Sequence, residues 1–266
     1  MSRLQVLVAT MNATNTKELY TRMNLKSDAL VINQSDRVDY ETLNIGGSII
    51  ECYTFAERGL SKSRNNALMR ATADIVCLAD DDMVYSDSYV NDILSEFEKH
   101  PEADAIVFNV DLINGDRKTH KIDSYGRVGK REYKEYCSVH IAMRREKVLL
   151  KNIFFNIQFG SGSTYKCGED TLFLKDLIDS GLRLYRSPVK IADVDMSEST
   201  WFKGYDEEFF RNKGAVMAAA YPKLCYLLVI IQALKNSKRR LGSYSEFWKL
   251  LKWYSNGMHD FKEKFR

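Results

Sequence analysis

The stretch DIVCLADDDM, from Asp74 to Met83, is an apolar strand that runs straight into three consecutive carboxylates. Ile75–Ala79 is apolar throughout, the composition of a strand covered on both faces of a parallel sheet. Asp80, Asp81 and Asp82 follow without a spacer. Three adjacent carboxylates repel one another, which costs stability unless a cation offsets it. Two readings stand at this point. One is a solvated acidic loop; the other is a site for a hard divalent ion, held by one or two carboxylates together with substrate phosphates.

Outward from this stretch, strand-like and helix-like segments alternate. Leu4–Ala9, Ala29–Ile32 and Asp104–Val110 read as strands, with Ser48–Tyr53 a further one after Gly46-Gly47. Asn15–Met23, Leu60–Ala73 and Asp87–Lys99 read as the helices between them. This order predicts an α/β fold, a mostly parallel sheet with helices on both faces. Ligands bind such sheets outside the carboxyl ends of the strands, where the acidic triplet sits. Downstream, Cys137–Met143 reads as a strand, Arg144–Leu150 as a short helix, and Leu182–Tyr185 and Val189–Val194 as two closing strands. After residue 203 the pattern becomes helical, over Tyr205–Tyr221, Leu224–Leu234 and Tyr244–Lys264. The expected organisation is an α/β domain over 1–203, in two halves at 1–110 and 111–203. A basic, amphipathic helical extension follows over 204–266.

With 266 residues, 45% of them hydrophobic, the chain can bury a substantial core. It has 3 Pro, 14 Gly and no repeat, which excludes disordered and solenoid classes. Five scattered cysteines without a C-x-x-C pair argue against a disulfide framework or a structural zinc site, and predict a cytoplasmic protein. The apolar run in MSRLQVLVATMN has the length of a strand and not of a signal peptide.

Two further motifs carry chemistry. In RGLSKSRNNAL (Arg58–Leu68), Gly59 precedes a helix start and Arg64 lies one turn inside. Helix N-termini favour anions and Arg grips phosphate, although an ordinary capped helix has the same look. In CGEDTLFLKDL (Cys167–Leu177), Glu169-Asp170 suit the first turn of a helix, and a carboxylate there could also take a proton at the lip of a cleft.

In this order and spacing, VLVATMN, RGLSKSRNNA, LADDD, GED and SESTW resemble the family 2 glycosyltransferases of GT-A fold, as found among bacterial enzymes of polysaccharide assembly. The resemblance covers about residues 4–203. It implies an inverting hexosyltransferase that uses Mn²⁺ or Mg²⁺ and a nucleotide-sugar donor, UDP by the family's habits. The acceptor would be a glycan or a lipid-linked saccharide in surface-polysaccharide synthesis. Ala9, Thr10 and Asn12 would lie along the nucleotide, Gln34 or Asp36 would face the base, and Arg64 would sit near the base or diphosphate. Asp80 and Asp82 would form the Asp-x-Asp, with Asp82 in direct contact with the metal. Asp81 stays a candidate for nucleotide or metal because the triplet leaves the register open. Asp170 would be the general base, and Glu169 would position acceptor or base. The chain departs from many relatives in lacking a His near the last strand. ADVDMSESTW stands there, so Asp195 or a water would substitute. His100, His120, His140 and His259 have no ligand-like spacing and are expected to be structural or surface residues.

From Tyr221 to Arg266 there are ten Lys/Arg against three Asp/Glu, a local balance of +7. Leu224–Leu234 as a helix spans about 16 Å, half of a bilayer core, and cannot cross it. Its apolar residues, with Trp248, Trp253 and the clustered cations, suit peripheral contact with the inner face of a membrane. Packing on the catalytic domain or on a second subunit would account for the same residues. Two rival functions are weighed. A nucleotidyltransferase would need a Gly-rich basic loop after the first strand, which VATMNATNTKELY lacks. A non-catalytic sugar-nucleotide-binding module would not need both acidic motifs intact. No nucleic-acid-binding motif accompanies the basic tail.

Overall fold

A computed structural model describes residues 2–114, 121–197 and 204–265. Ten strands among them form one sheet: β1 (Leu4–Met11), β2 (Asp28–Gln34), β3 (Asp39–Ile45), β4 (Ser48–Phe55), β5 (Ile75–Asp80), β6 (Met83–Tyr85), β7 (Ala105–Ile113), β8 (Gly126–Arg127), β9 (Ile141–Arg144) and β10 (Leu184–Asp195). Their order is β3-β4-β2-β1-β5-β9-β7-β10-β6, with β8 beside β10. The β1, β2, β4 and β5 neighbours are parallel, as are β7 and β10.

Side chains two apart on a strand share a face. Val6 and Val8 therefore join one apolar layer with α1 (Thr16–Arg22) and α3 (Tyr89–Lys99), while Leu7 joins the other with α2 (Leu60–Arg70) and α5 (Glu169–Asp179). A short helix α4 (Arg145–Leu150) follows β9.

The sheet is mixed, where the alternation of elements predicted a mostly parallel one. β9 inserts antiparallel between β5 and β7, and β3, β6 and β8 are antiparallel at the margins. The β3–β4 hairpin turns at Gly46-Gly47, both with positive φ. The two closing strands expected at Leu182–Tyr185 and Val189–Val194 are one strand, β10. Its pairing with β7 shifts register between Arg186 and Ala192, around Pro188, whose missing N–H interrupts the ladder without ending the strand.

Three helices follow: α6 (Glu207–Ala220), α7 (Cys225–Leu241) and α8 (Phe247–Lys264). α7 runs beyond the apolar segment expected at Leu224–Leu234 and takes in the basic residues to Arg240. α6 and α8 pack so closely that a Cβ on Gly257 would lie 1.8 Å from the Arg211 carbonyl oxygen. α6 also lies against the rest of the chain through Ala215 and Val216, which cluster with Phe159, Tyr165 and Leu172. No described helix is long and apolar enough to cross a membrane. The boundary expected near residue 203, His120, and Glu198–Trp201 of the SESTW segment lie outside the described residues.

Candidate active site

The site forms where β1, β2 and β5 end. Parallel pairing sets Ala9 beside Asp80 and Thr10 beside Asn33, so strand ends and acidic triplet share one rim of the sheet. Asp80 is the last residue of β5, and Asp81 and Asp82 make the turn into β6. Thr10 Oγ1 donates to Asp81 Oδ2 (2.5 Å), and Arg22 on α1 donates to the Asp81 carbonyl (3.0 Å). Arg22 carried no signal in the sequence, because only tertiary folding brings α1 to this turn.

Opposite the triplet, two helix starts are held together by the loop at 159–163. The Leu60 N–H donates to the Ser161 carbonyl, and Ser61 Oγ donates to the Phe159 carbonyl. These bonds fix the start of α2 against the segment that leads to α5. Gly168 caps α5 with φ +102°, a conformation that favours glycine, and a Cβ there would lie 2.2 Å from Val216 on α6. The C-terminal helices therefore press directly behind Glu169-Asp170.

Arg64 joins the two sides. Its side chain is 3% exposed, lies over the Phe155 ring, and meets Asp80 Oδ1 (2.9 Å), Asp170 Oδ1 (3.0 Å) and Glu169 Oε1 (3.7 Å). Burial works against the guanidinium's charge, but the three carboxylates outweigh it and hold its pKa above the ordinary value. One cation facing three anions leaves excess negative charge. Glu169, the most buried of the three, is pushed up to about 7, by burial first and then by Asp170, against the lowering effect of Arg64. Asp170 is half-buried, and its Oδ1 also accepts from Ser138 Oγ (2.6 Å), which leaves Oδ2 free of protein donors among the described residues. Ser138 lies in a 3-10 turn just before β9. The sequence reading placed it within a strand and gave it no role.

Asp82 is pushed up to about 6 by burial and by the charges of Asp80, Asp81 and, more weakly, Asp195. Asp195 arrives through the antiparallel pairing of β6 with β10, its N–H donating to the Asp82 carbonyl. Among the described residues neither Asp81 nor Asp82 has a basic ion-pair partner, and no three His, Cys, Asp or Glu side chains converge as a ready metal cage. A crowded carboxylate raised by its neighbours fits a divalent ion that takes its remaining ligands from a diphosphate.

The other expected nucleotide contacts are more dispersed. Gln34 ends β2 with Oε1 accepting from the Gly59 N–H (2.6 Å), and Asp36 is exposed, with its carboxylate accepting from Ser35 Oγ. Asn12 follows β1 with φ +56° and its N–H on the Gln34 carbonyl. His140 is buried with Nδ1 2.8 Å from the Phe108 carbonyl oxygen, and His100 stacks on Tyr125.

Residues 38–164 match the family model described as glycosyl transferase family 2, the family the sequence resembles. No curated protein matches the chain. Among solved structures, Staphylococcus aureus TarS has the same GT-A-type arrangement, a mixed sheet flanked by helices with C-terminal helices after it. Residues 1–349 of TarS in complex with UDP-GlcNAc align at TM-score 0.60 and 13% identity, covering 99% of this chain and 93% of that one. The same TarS fragment with UDP aligns at TM-score 0.58 and 13% identity with the same coverage. A longer TarS chain aligns at TM-score 0.63 and 17% identity, covering 99% of this chain and 49% of that one.

Proposed function

We propose that the chain is an inverting family 2 glycosyltransferase that moves a sugar from a UDP-sugar to a hydroxyl of a glycan or lipid-linked saccharide. The observation that carries this reading is Arg64, which ties the acidic end of β5 to Asp170 across one cleft at the strand ends. Ala9, Thr10 and Asn12 line the nucleotide, and Gln34 or Asp36 faces the base. Gln34 is left its amide NH₂ for that contact, since Oε1 accepts from Gly59. The UDP ligands of the TarS structures support this choice of donor.

Asp170 removes the proton from the acceptor hydroxyl through Oδ2, while Ser138 and Arg64 hold Oδ1. The oxygen so freed attacks the anomeric carbon on the face opposite the departing diphosphate, and one displacement inverts the stereochemistry. Glu169, packed between Arg64 and the 159–163 loop, keeps that carboxylate in place. Asp82 and Asp80 would hold Mn²⁺ or Mg²⁺, which would supply positive charge to the leaving diphosphate. Surface-polysaccharide synthesis at the cytoplasmic face of a membrane suits such a donor and a lipid-linked acceptor, and the C-terminal helices carry the apolar and basic side chains for that location.

Calorimetric titration of UDP, with Mn²⁺ and after chelation, tests the donor site on the wild type and on Asp82→Ala. Metal-dependent binding that is lost in the variant is the expected result. Absence of UDP binding under either condition sinks the UDP-sugar reading, and turnover of the donor separates a transferase from a binding module.

A further inference from the structure

The C-terminal helices carry a surface that the cleft does not use. α7 buries one row, Cys225, Val229, Ala233 and Ser237, against its neighbours. That spacing of four is a single stripe on a helix. On the side turned away from it, Leu224, Leu227, Ile230, Ile231 and Leu234 are 47–56% exposed. Their spacing of three, four and seven residues makes one continuous apolar face. Lys238 continues that face one turn beyond Leu234, with Lys235 and Arg239 to its sides, while Arg240 lies on the buried side over the Tyr205 ring. Tyr244, also exposed, lies under the Lys238 ammonium, and Trp248 close by is 74% exposed.

Charge decides what covers this face. Lys235, Lys238 and Arg239 accompany the face, no carboxylate stands between Tyr221 and Ser245, and Glu246 just beyond is paired with Lys249. A two-fold pairing of copies would bring the patch against itself, and the patch offers no unpaired anion to meet those charges. A surface of lipid phosphates meets all of them, with apolar depth beside the headgroups for the leucines and isoleucines. At 17 residues α7 is about 26 Å long, and its last two turns are charged, so it fits lying in the interface and not crossing it.

We propose that α7 is an interfacial anchor for an anionic membrane, with its Leu/Ile row in the acyl boundary and its cations among the lipid phosphates. Cys225, Val229 and Ala233 pack α7 into one cluster with Phe210 of α6 and Leu250 and Tyr254 of α8, so docking fixes the orientation of the whole chain and not of a loose tail. The proposal does not rest on the transferase reading, since vesicle binding is read without donor or acceptor.

Flotation of the full chain with vesicles of phosphatidylcholine alone, or of phosphatidylcholine with phosphatidylglycerol, tests it. The wild type is expected to float with the anionic vesicles and to lose most of that binding as salt shortens the Debye length below about 8 Å. The pairs Ile230→Glu with Leu234→Glu, and Lys238→Glu with Arg239→Glu, are each expected to lower the partition at least about tenfold while leaving Tm unchanged, because all four side chains are exposed. Should the first pair unfold, Ile230→Ser with Leu234→Ser serves the same comparison. Wild type that ignores anionic vesicles, or variants that float equally well, overturn the anchor. A concentration-dependent dimer abolished by the Ile230 and Leu234 changes, without vesicle binding, overturns it in favour of self-association.

Discussion

Arg64 holds one positive charge among Asp80, Glu169 and Asp170, and the chemistry expected of each carboxylate follows from how it shares that charge. Asp170→Asn keeps the shape of the side chain and its bond from Ser138, but Asn cannot take a proton. Turnover is expected to fall about 10²–10⁴-fold with UDP affinity nearly unchanged, as measured by initial rates beside calorimetry. An equal loss in both would assign Asp170 to donor binding instead. Glu169 is raised from 4.5 to about 7, so the folded chain binds its proton more tightly than the unfolded chain does. That contribution to stability is full below pH 4.5 and is lost as pH rises through about 7. Glu169→Gln, which is permanently neutral, should therefore gain in Tm relative to the wild type between pH 4.5 and 8. A gap that shrinks with rising pH would show that Glu169 is ionised more easily than its burial implies. The acidic triplet and Glu169-Asp170 are legible in the sequence by their places, one at the end of an apolar strand and one at a helix start, although Asp206-Glu207-Glu208 shows that an acidic run can also be a plain helix start. Arg64 is visible as a cation at a helix start, but three partners at separations of 16 to 106 residues are a property of the fold alone. Ser138 left no trace, since a lone hydroxyl in a polar turn is commonplace.

Among the elements, the parallel strands and the helices between them were readable because they are long and obey one period. β9 was expected to start at Cys137, four residues early, because the 3-10 turn over Ser138–His140 shares its apolar pattern, and nothing in four residues gives the direction in which they pair. β3 was missed despite its Gly-Gly turn, because at this exposed edge only Leu43 and Ile45, near its end, are aliphatic and pack against the core. The α6–α8 crossing is a tertiary device of the same kind, visible in the sequence only as an unexplained glycine inside a helix. A methyl group at Gly257 has no room beside the Arg211 carbonyl, and backbone cannot swing aside as a flexible side chain can. Gly257→Ala is expected to cost about 3 kcal/mol, read as a drop in the midpoint of urea unfolding. A change below about 0.5 kcal/mol would mean that the helices slide apart freely.

For the whole molecule, the helices after residue 204 are part of the packed body. Val216 of α6 lies against the Gly168 turn, Tyr165 Oη donates to Asp260 of α8, and Phe159 stacks near Phe261. A chain ended before Glu207 would expose Phe159, Tyr165 and Leu172 close to Glu169-Asp170. Such a chain is expected to aggregate, or to elute as soluble oligomers in size-exclusion chromatography, and a monomer with full donor binding would contradict this. The sequence left packing on the rest of the chain and membrane contact both open, because composition registers the change to a basic, helical pattern and not which residues that pattern covers.

The antiparallel insertion of β9 also governs the order in which this chain can be completed. β5 and β7 are neighbours in sequence order among the long strands, yet neither pairs with the other, and both wait for Ile141–Arg144. During synthesis the first part of the sheet can assemble from β1, β2, β4 and β5 while the outer edge of β5 stays open. At about 5–20 residues per second, the roughly 60 residues still to be made before β9 leave that edge unpaired for about 3–12 s. The edge is apolar and uncharged over Ile75–Ala79, the kind of strand that recruits other chains. Nascent-chain aggregation should therefore be most acute for ribosomes paused between β5 and β9, and should subside once β9 has emerged.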